Sequence, residues 1–242
     1  MSVSCRALPT VALVVAVAAP ACSTREERGN AVHADKQAAA AGADAAQHLA
    51  SGPRVVILGD SLTAGLGLPI EQSYPSLLQE RLKESGLDYE VVNAGVSGDT
   101  SAGGLSRLDW ALDGDVRVLV VALGGNDGLR GLPVEQLKRN LSTIIERAQL
   151  RHIAVILAGM DAPPNYGRDY IVAFHKVYPA LASQYHVPLV PFLLQGVAGT
   201  EALNQRDGIH PTAAGARVVA DNVWAVLKPV AEAHTSKTAG GS

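Results

Sequence analysis

Two blocks far apart in this chain hold side chains that can cooperate in nucleophilic chemistry. An apolar run, Val55-Val56-Ile57-Leu58, empties into Gly59-Asp60-Ser61-Leu62, and much later the chain reads Asp207-Gly208-Ile209-His210-Pro211. A serine hydroxyl is a weak nucleophile at neutral pH. It becomes a strong one when a histidine takes its proton and a carboxylate holds that imidazole in one tautomer. Ser61, His210 and Asp207 form a candidate relay for acyl transfer, and only two residues separate Asp207 from His210, so one loop can carry both.

Attack on a carbonyl leaves negative charge on its oxygen, which donors fixed in advance can stabilise. Two intervening segments offer such donors, Asn93-Ala94-Gly95-Val96-Ser97-Gly98-Asp99 and Leu123-Gly124-Gly125-Asn126-Asp127-Gly128. Gly98 has a backbone N–H with no side chain in the way, and Asn126 has a side-chain amide. Singly, each block also reads as ordinary structure: a helix cap at Asp60-Ser61, a β-turn at Gly124 to Asp127, a cap and a surface histidine at Asp207 and His210. Jointly, four sites converge on one reaction.

In order and spacing these blocks resemble the SGNH, or GDSL, hydrolases. The words Ser97-Gly98-Asp99-Thr100, Leu123 to Gly131, Pro164-Asn165-Tyr166-Gly167 and Asp207 to Pro211 are similar to the bacterial periplasmic thioesterase/arylesterase/lysophospholipase group within that family. The resemblance spans roughly residues 53 to 230. It implies a single-domain α/β fold, a three-layer α/β/α sandwich around a five-stranded parallel sheet of flavodoxin-like type. It further implies that Ser61 attacks, His210 carries the proton, Asp207 orients His210, and the oxyanion sits among the Ser61 and Gly98 N–H groups and the Asn126 amide. Fatty-acyl esters and thioesters are the implied small-molecule substrates. Leu129, Leu132 and Pro133, with Tyr166 from the Met160 to Tyr166 loop, are candidates for the walls of an acyl groove, although such leucines also pack beneath loops. A carbohydrate O-acetylesterase would use the same triad but want polar or aromatic sugar platforms, whereas aromatics are only 4% of this chain and the loops after Asn126 are apolar.

The elements that must position these residues are legible as alternating strands and helices. Apolar runs suited to buried parallel strands occur at Val55 to Leu58, Tyr89 to Val92, Val116 to Leu123, Ile153 to Ala158 and Val187 to Phe192. Helical stripes run through Ser73 to Glu84, Pro133 to Leu150, Gly167 to Tyr185 and Pro211 to Leu227. This alternation predicts a doubly wound sheet, whose ligands sit beyond the C-terminal ends of the strands. Ser61, Gly98 and Asn126 each follow a predicted strand, and His210 precedes the final helix. A standard α/β-hydrolase would instead set its serine in Gly-x-Ser-x-Gly midway along the sheet. A flavodoxin-like binding module would need a phosphate loop, which Gly59 to Gly67 does not spell.

The ends of the chain read differently. Residues 1–21 carry Arg6 and an apolar stretch too short to span a bilayer comfortably, as in a signal peptide. Ala19-Pro20-Ala21 fits ordinary cleavage, and Cys22 behind it fits a lipoprotein site where a lipid would attach the chain to a membrane; both readings export the protein, to the periplasm. Residues 22–52 form an Ala-rich flexible linker, 53–230 the hydrolase domain and 231–242 a disordered tail. Cys5 and Cys22 are the only cysteines, and with Cys5 lost in the signal no intrachain disulfide can form. The net charge of −3 argues against a nucleic-acid partner. No cluster has metal-ligand spacing, the other histidines lack acidic partners at such spacing, and the expectation is a monomer with no metal and no cofactor.

Overall fold

The computed structural model describes residues 52–239. The expected signal peptide, Cys22 and all but the last residue of the expected linker lie outside the described residues. The five apolar runs become β1 (Arg54–Gly59), β2 (Glu90–Gly95), β3 (Val116–Ala122), β4 (Ala154–Ala158) and β5 (Leu189–Val190). All pair in parallel, in the order β2-β1-β3-β4-β5. In register, Ile57 stands opposite Asn93 on one side and Val120 on the other. Val55 to Leu58 and Val118 to Val121 are at most 1% exposed. Burial on both faces explains why these runs are continuously apolar rather than alternating.

The helices are α1 (Ser61–Ala64), α2 (Tyr74–Glu84), α3 (Ser101–Ser106), α4 (Leu108–Ala111), α5 (Gly125–Leu129), α6 (Val134–Leu150), α7 (Arg168–Tyr185) and α8 (Ala213–Ala239). Helix α2 packs with α8, and α6 with both α3 and α7, so two helical layers enclose the sheet as the sequence predicted. Helix α6 shows the mechanism: Leu137, Leu141, Ile144, Ile145 and Ala148 recur at helical spacing and are buried together. Removing one such side chain, as in Leu141→Ala, would cost about 2–5 kcal/mol through lost transfer energy and the cavity left behind. His152 and His186, beyond the ends of α6 and α7, adopt the left-handed conformation more often given to glycine.

Two boundaries differ from expectation. The last strand, predicted over Val187 to Phe192, is only Leu189–Val190, because Pro188 and Pro191 carry no N–H to continue a ladder. The tail expected from residue 231 begins instead as helix, since α8 runs on to Ala239. Ala231 is fully buried, and the Tyr89 hydroxyl donates to its carbonyl at 3.2 Å.

Strand β1 is followed by a crossing towards β2 at one edge, whereas β3 leads towards β4 and β5 at the other. The crevice between the C-terminal ends of β1 and β3 is therefore the switch point where such sheets bind ligands.

Candidate active site

Ser61 opens α1 directly at the end of β1. Asp60 caps that helix, its Oδ1 accepting from the Leu62 N–H at 3.0 Å. Gly95 lets the helix sit this low: a Cβ there would lie 2.3 Å from the Ala64 nitrogen. Ser61 and His210 are 149 residues apart in the chain, yet the His210 Nε2 lies 2.8 Å from the Ser61 Oγ. The other ring nitrogen, Nδ1, lies 2.7 Å from Asp207 Oδ2.

The Asp207-x-x-His210 loop orders itself through its carboxylate. Asp207 Oδ1 accepts from the Ile209 N–H at 2.9 Å and the His210 N–H at 3.0 Å. The His210 N–H, then the Ile209 N–H, then the His210 ring hold the Asp207 carboxyl at about 2 against an ordinary 3.8. Asp207 is therefore anionic throughout the neutral range. With Nδ1 protonated and donating to it, Nε2 is left bare to accept the serine proton.

The expected oxyanion donors Gly98 and Asn126 lie just after β2 and β3. Gly98 has φ +85°, in the region that favours glycine, and a Cβ there would come no closer than 3.8 Å to any neighbour, so backbone conformation rather than space selects the residue. Its carbonyl accepts from the Arg130 guanidinium at 2.8 Å. The Asn126 amide donates to the Asp99 carbonyl at 2.9 Å and to Asp60 Oδ2 at 3.3 Å. Among the described residues, the Ser61 and Gly98 N–H groups have no acceptor in the protein.

Beneath these groups lies polar scaffolding that the sequence reading missed. Asp99 receives the Arg107 Nε at 2.7 Å, and the same guanidinium donates to the Gly59 carbonyl at 2.8 Å, tying the Gly98 loop to the end of β1. Asp127, 1% exposed, accepts from the Ser101 N–H at 2.7 Å and hydroxyl at 2.6 Å, fixing α5 against α3. Asp60 is 2% exposed; burial lifts its carboxyl to about 6, opposed by the Leu62 N–H, the charge of His210 and the Asn126 amide. Each of these acidic residues lies within or beside a block already read from the sequence, but nothing in composition separates a scaffold aspartate from a solvated one.

A groove of about 410 Å³ opens above Ser61 and His210. Its apolar wall comes from Leu129, Met160, Pro163, Phe192, Leu194 and Ile209. Of the expected groove residues only Leu129 is among them. Leu132 and Pro133 turn the chain into α6, and Tyr166 lies over Gly131 with its hydroxyl on the Leu129 carbonyl at 2.8 Å, so it braces the groove wall from behind. His175 pairs with Asp161 at 2.7 Å beside the groove. Among the described residues no group of three or more His, Cys, Asp or Glu is placed to hold a metal ion.

A doubly wound α/β/α sheet whose serine follows the first strand, facing a histidine from the loop before the last helix, defines a class of hydrolase distinct from the Gly-x-Ser-x-Gly enzymes. Comparison with known proteins makes the assignment particular. Residues 57–218 match the GDSL-like Lipase/Acylhydrolase family, and the chain belongs to it. It is 48% identical to Esterase TesA of Pseudomonas aeruginosa over 182 residues, 75% of this chain and 90% of that protein. Identity to Thioesterase 1/protease 1/lysophospholipase L1 of Escherichia coli K12 is 38%, over 75% of this chain and 86% of the relative. A crystal structure of TesA, also 48% identical, matches with a TM-score of 0.70 over 74% of this chain and 99% of that one. The resemblance read from the four sequence blocks is thereby borne out, as is the fold.

Proposed function

We propose that this protein is an exported serine hydrolase that cleaves fatty-acyl esters and thioesters through an acyl-enzyme. The observation that carries the reading is the unbroken chain from Ser61 Oγ to His210 Nε2, 2.8 Å, and from His210 Nδ1 to Asp207, 2.7 Å, at the foot of an apolar groove. In this reaction His210 takes the Ser61 proton as the hydroxyl attacks the acyl carbonyl, and Asp207 stabilises the resulting imidazolium. The carbonyl oxygen, now anionic, is met by the Ser61 and Gly98 N–H groups and the Asn126 amide. Collapse of the tetrahedral adduct breaks the bond to the alcohol or thiol, which leaves with the proton from His210. Water, deprotonated by His210, then releases the acid and restores Ser61.

The groove supports an acyl substrate rather than an acetylated sugar, because its apolar wall is mostly aliphatic and proline-rich, with Phe192 its one phenyl ring, and its volume lies in the ordinary range for small-molecule pockets. The names of the relatives, esterase and thioesterase/lysophospholipase, point the same way. Export rests on the signal-like residues 1–21, and attachment to a membrane would require a lipid on Cys22 in place of ordinary cleavage after Ala21.

The reading is tested by labelling with a fluorophosphonate and by hydrolysis of p-nitrophenyl esters. Ser61 is expected to take up the label alone, and Ser61→Ala to lose roughly 10⁴-fold or more of the wild-type rate. Hydrolysis by the purified variant within tenfold of wild type would reject the assignment.

A further inference from the structure

We propose that Asp60 is a positioning residue for the oxyanion site, setting the Asn126 amide through its second carboxylate oxygen while its first caps the helix of the nucleophile. The inference deepens the hydrolase reading above and rests on it. Asp60 is the residue next to Ser61, yet its side chain is 2% exposed and turned inward. The two oxygens have separate partners: Oδ1 takes the Leu62 N–H at 3.0 Å, and Oδ2 takes the Asn126 Nδ2 at 3.3 Å. One carboxylate thus joins the element bearing the nucleophile to the element bearing the amide donor. A cap alone would need only one oxygen, and serine or asparagine would serve as well.

The amide geometry says what the second oxygen does. Asn126 Nδ2 carries two N–H bonds. One is held firmly by the Asp99 carbonyl at 2.9 Å, which fixes the plane of the amide. The other lies towards the groove, where Asp60 and Asn126 stand together with Ser61 and His210. Its contact with Asp60 is the longer of the two, so it is the one that yields when an oxyanion forms. In the resting enzyme Asp60 keeps this N–H aimed and prevents the amide from rotating to another acceptor. The space is closed around it: a Cβ at Gly125 would come within 3.2 Å of Asp60 Oδ2.

Asp60→Ser separates the two tasks, because a serine hydroxyl caps the helix but offers no second oxygen to Asn126. It is measured beside Asn126→Ala and the double variant, with kcat and KM from an ester both accept. Loss of the donor itself should lower kcat by about 10²–10³. Acting through that donor, Asp60→Ser should lower kcat by less, about 10- to 100-fold, with KM changed by under about threefold. In the Asn126→Ala background the same substitution should cost nothing further, within about twofold. A purely structural Asp60 would cost the same factor in both backgrounds, and that result overturns the proposal, as does kcat of Asp60→Ser within about twofold of wild type. Should the serine variant fail to fold, Asp60→Asn replaces it under the same criteria, because its single oxygen cannot satisfy both Leu62 and Asn126. If instead Asn126→Ala leaves kcat unchanged, the oxyanion reading itself fails, an outcome distinct from the failure of Asp60 alone.

Discussion

Two aspartates beside the same histidine experience opposite physics. At the end of β1, Asp60 is enclosed by protein, and loss of hydration lifts its carboxyl to about 6 despite the charge of His210 nearby. On the loop before α8, Asp207 lies open to water, and two backbone N–H groups with the His210 ring hold it at about 2. Hydrogen bonds from two consecutive residues, Ile209 and His210, set the acidity in one region; in the other, burial outweighs a cap, an amide and a histidine. The buried region is built to hold geometry and the exposed loop to hold charge, so the same substitution in each should fail differently.

The largest contrast is chemical. Asp207→Asn keeps the shape of the loop but deprives the His210 imidazolium of its counter-charge and favours the wrong tautomer, so kcat is expected to fall by about 10⁴-fold. Stopped-flow or steady-state ester hydrolysis checks this, and a loss below about tenfold would mean that the exposed carboxylate does not hold the imidazole.

A smaller effect concerns the groove. Ile209 belongs to the charged loop yet lines the groove together with Leu129. Each buried methylene contributes up to about 0.8 kcal/mol, so kcat/KM should rise by an order of magnitude or more from acetyl to medium-chain esters. Ile209→Ser or Leu129→Ser should erode that rise while sparing the acetyl ester, whereas equal losses at every chain length would show that the loop acts only through His210.

The smallest effect sharpens the comparison most directly, because the two carboxylates should move stability in opposite directions with pH. Asp60 binds its proton more tightly folded, about 6, than unfolded, 3.8, so ionising it costs stability as pH rises between those values. Asp60→Asn, fixed in the neutral form, should gain on wild type from pH 4 to pH 7, by at most about 3 kcal/mol. Asp207 binds its proton less tightly folded, about 2, so its contribution is present above 3.8 and lost as pH falls through 2. The deficit of Asp207→Asn should therefore grow from pH 2 to pH 4, modestly because the group is exposed. Denaturant melts across pH read both trends, and parallel behaviour of the two variants would contradict the account.

The candidate residues were legible because Ser61, Gly98 and Asn126 each follow an apolar run that breaks into glycine or asparagine, Asp207 and His210 share the loop before the final helix, and strand ends in a doubly wound sheet converge. The groove was less so. Phe192 and Leu194 reach it from beyond β5 and Ile209 from beside the histidine, so its wall is assembled from segments with no shared spacing, while Leu132 and Pro133, though they follow the Asn126 block, turn the chain into α6. The extent of α8 is not legible from the sequence because Ala231 looks like part of a small-residue tail, and only the folded core around it, with the Tyr89 hydroxyl on its carbonyl, makes it a buried position. The shortness of β5, by contrast, was written in Pro188 and Pro191.

That shortness has a bearing on how the protein behaves among its own copies. An open sheet ends in two strands whose outward N–H and C=O groups invite a further strand, the usual route to edge-to-edge aggregation. At β5 the invitation is two residues long and flanked by prolines. At β2 the Gln79 side chain stands in for a neighbouring strand, its amide donating to the Tyr89 carbonyl at 2.9 Å and accepting from the Val91 N–H at 2.7 Å. One edge is cut short and the other is occupied by a single glutamine, so Gln79→Ala would leave β2 as the place where self-association starts.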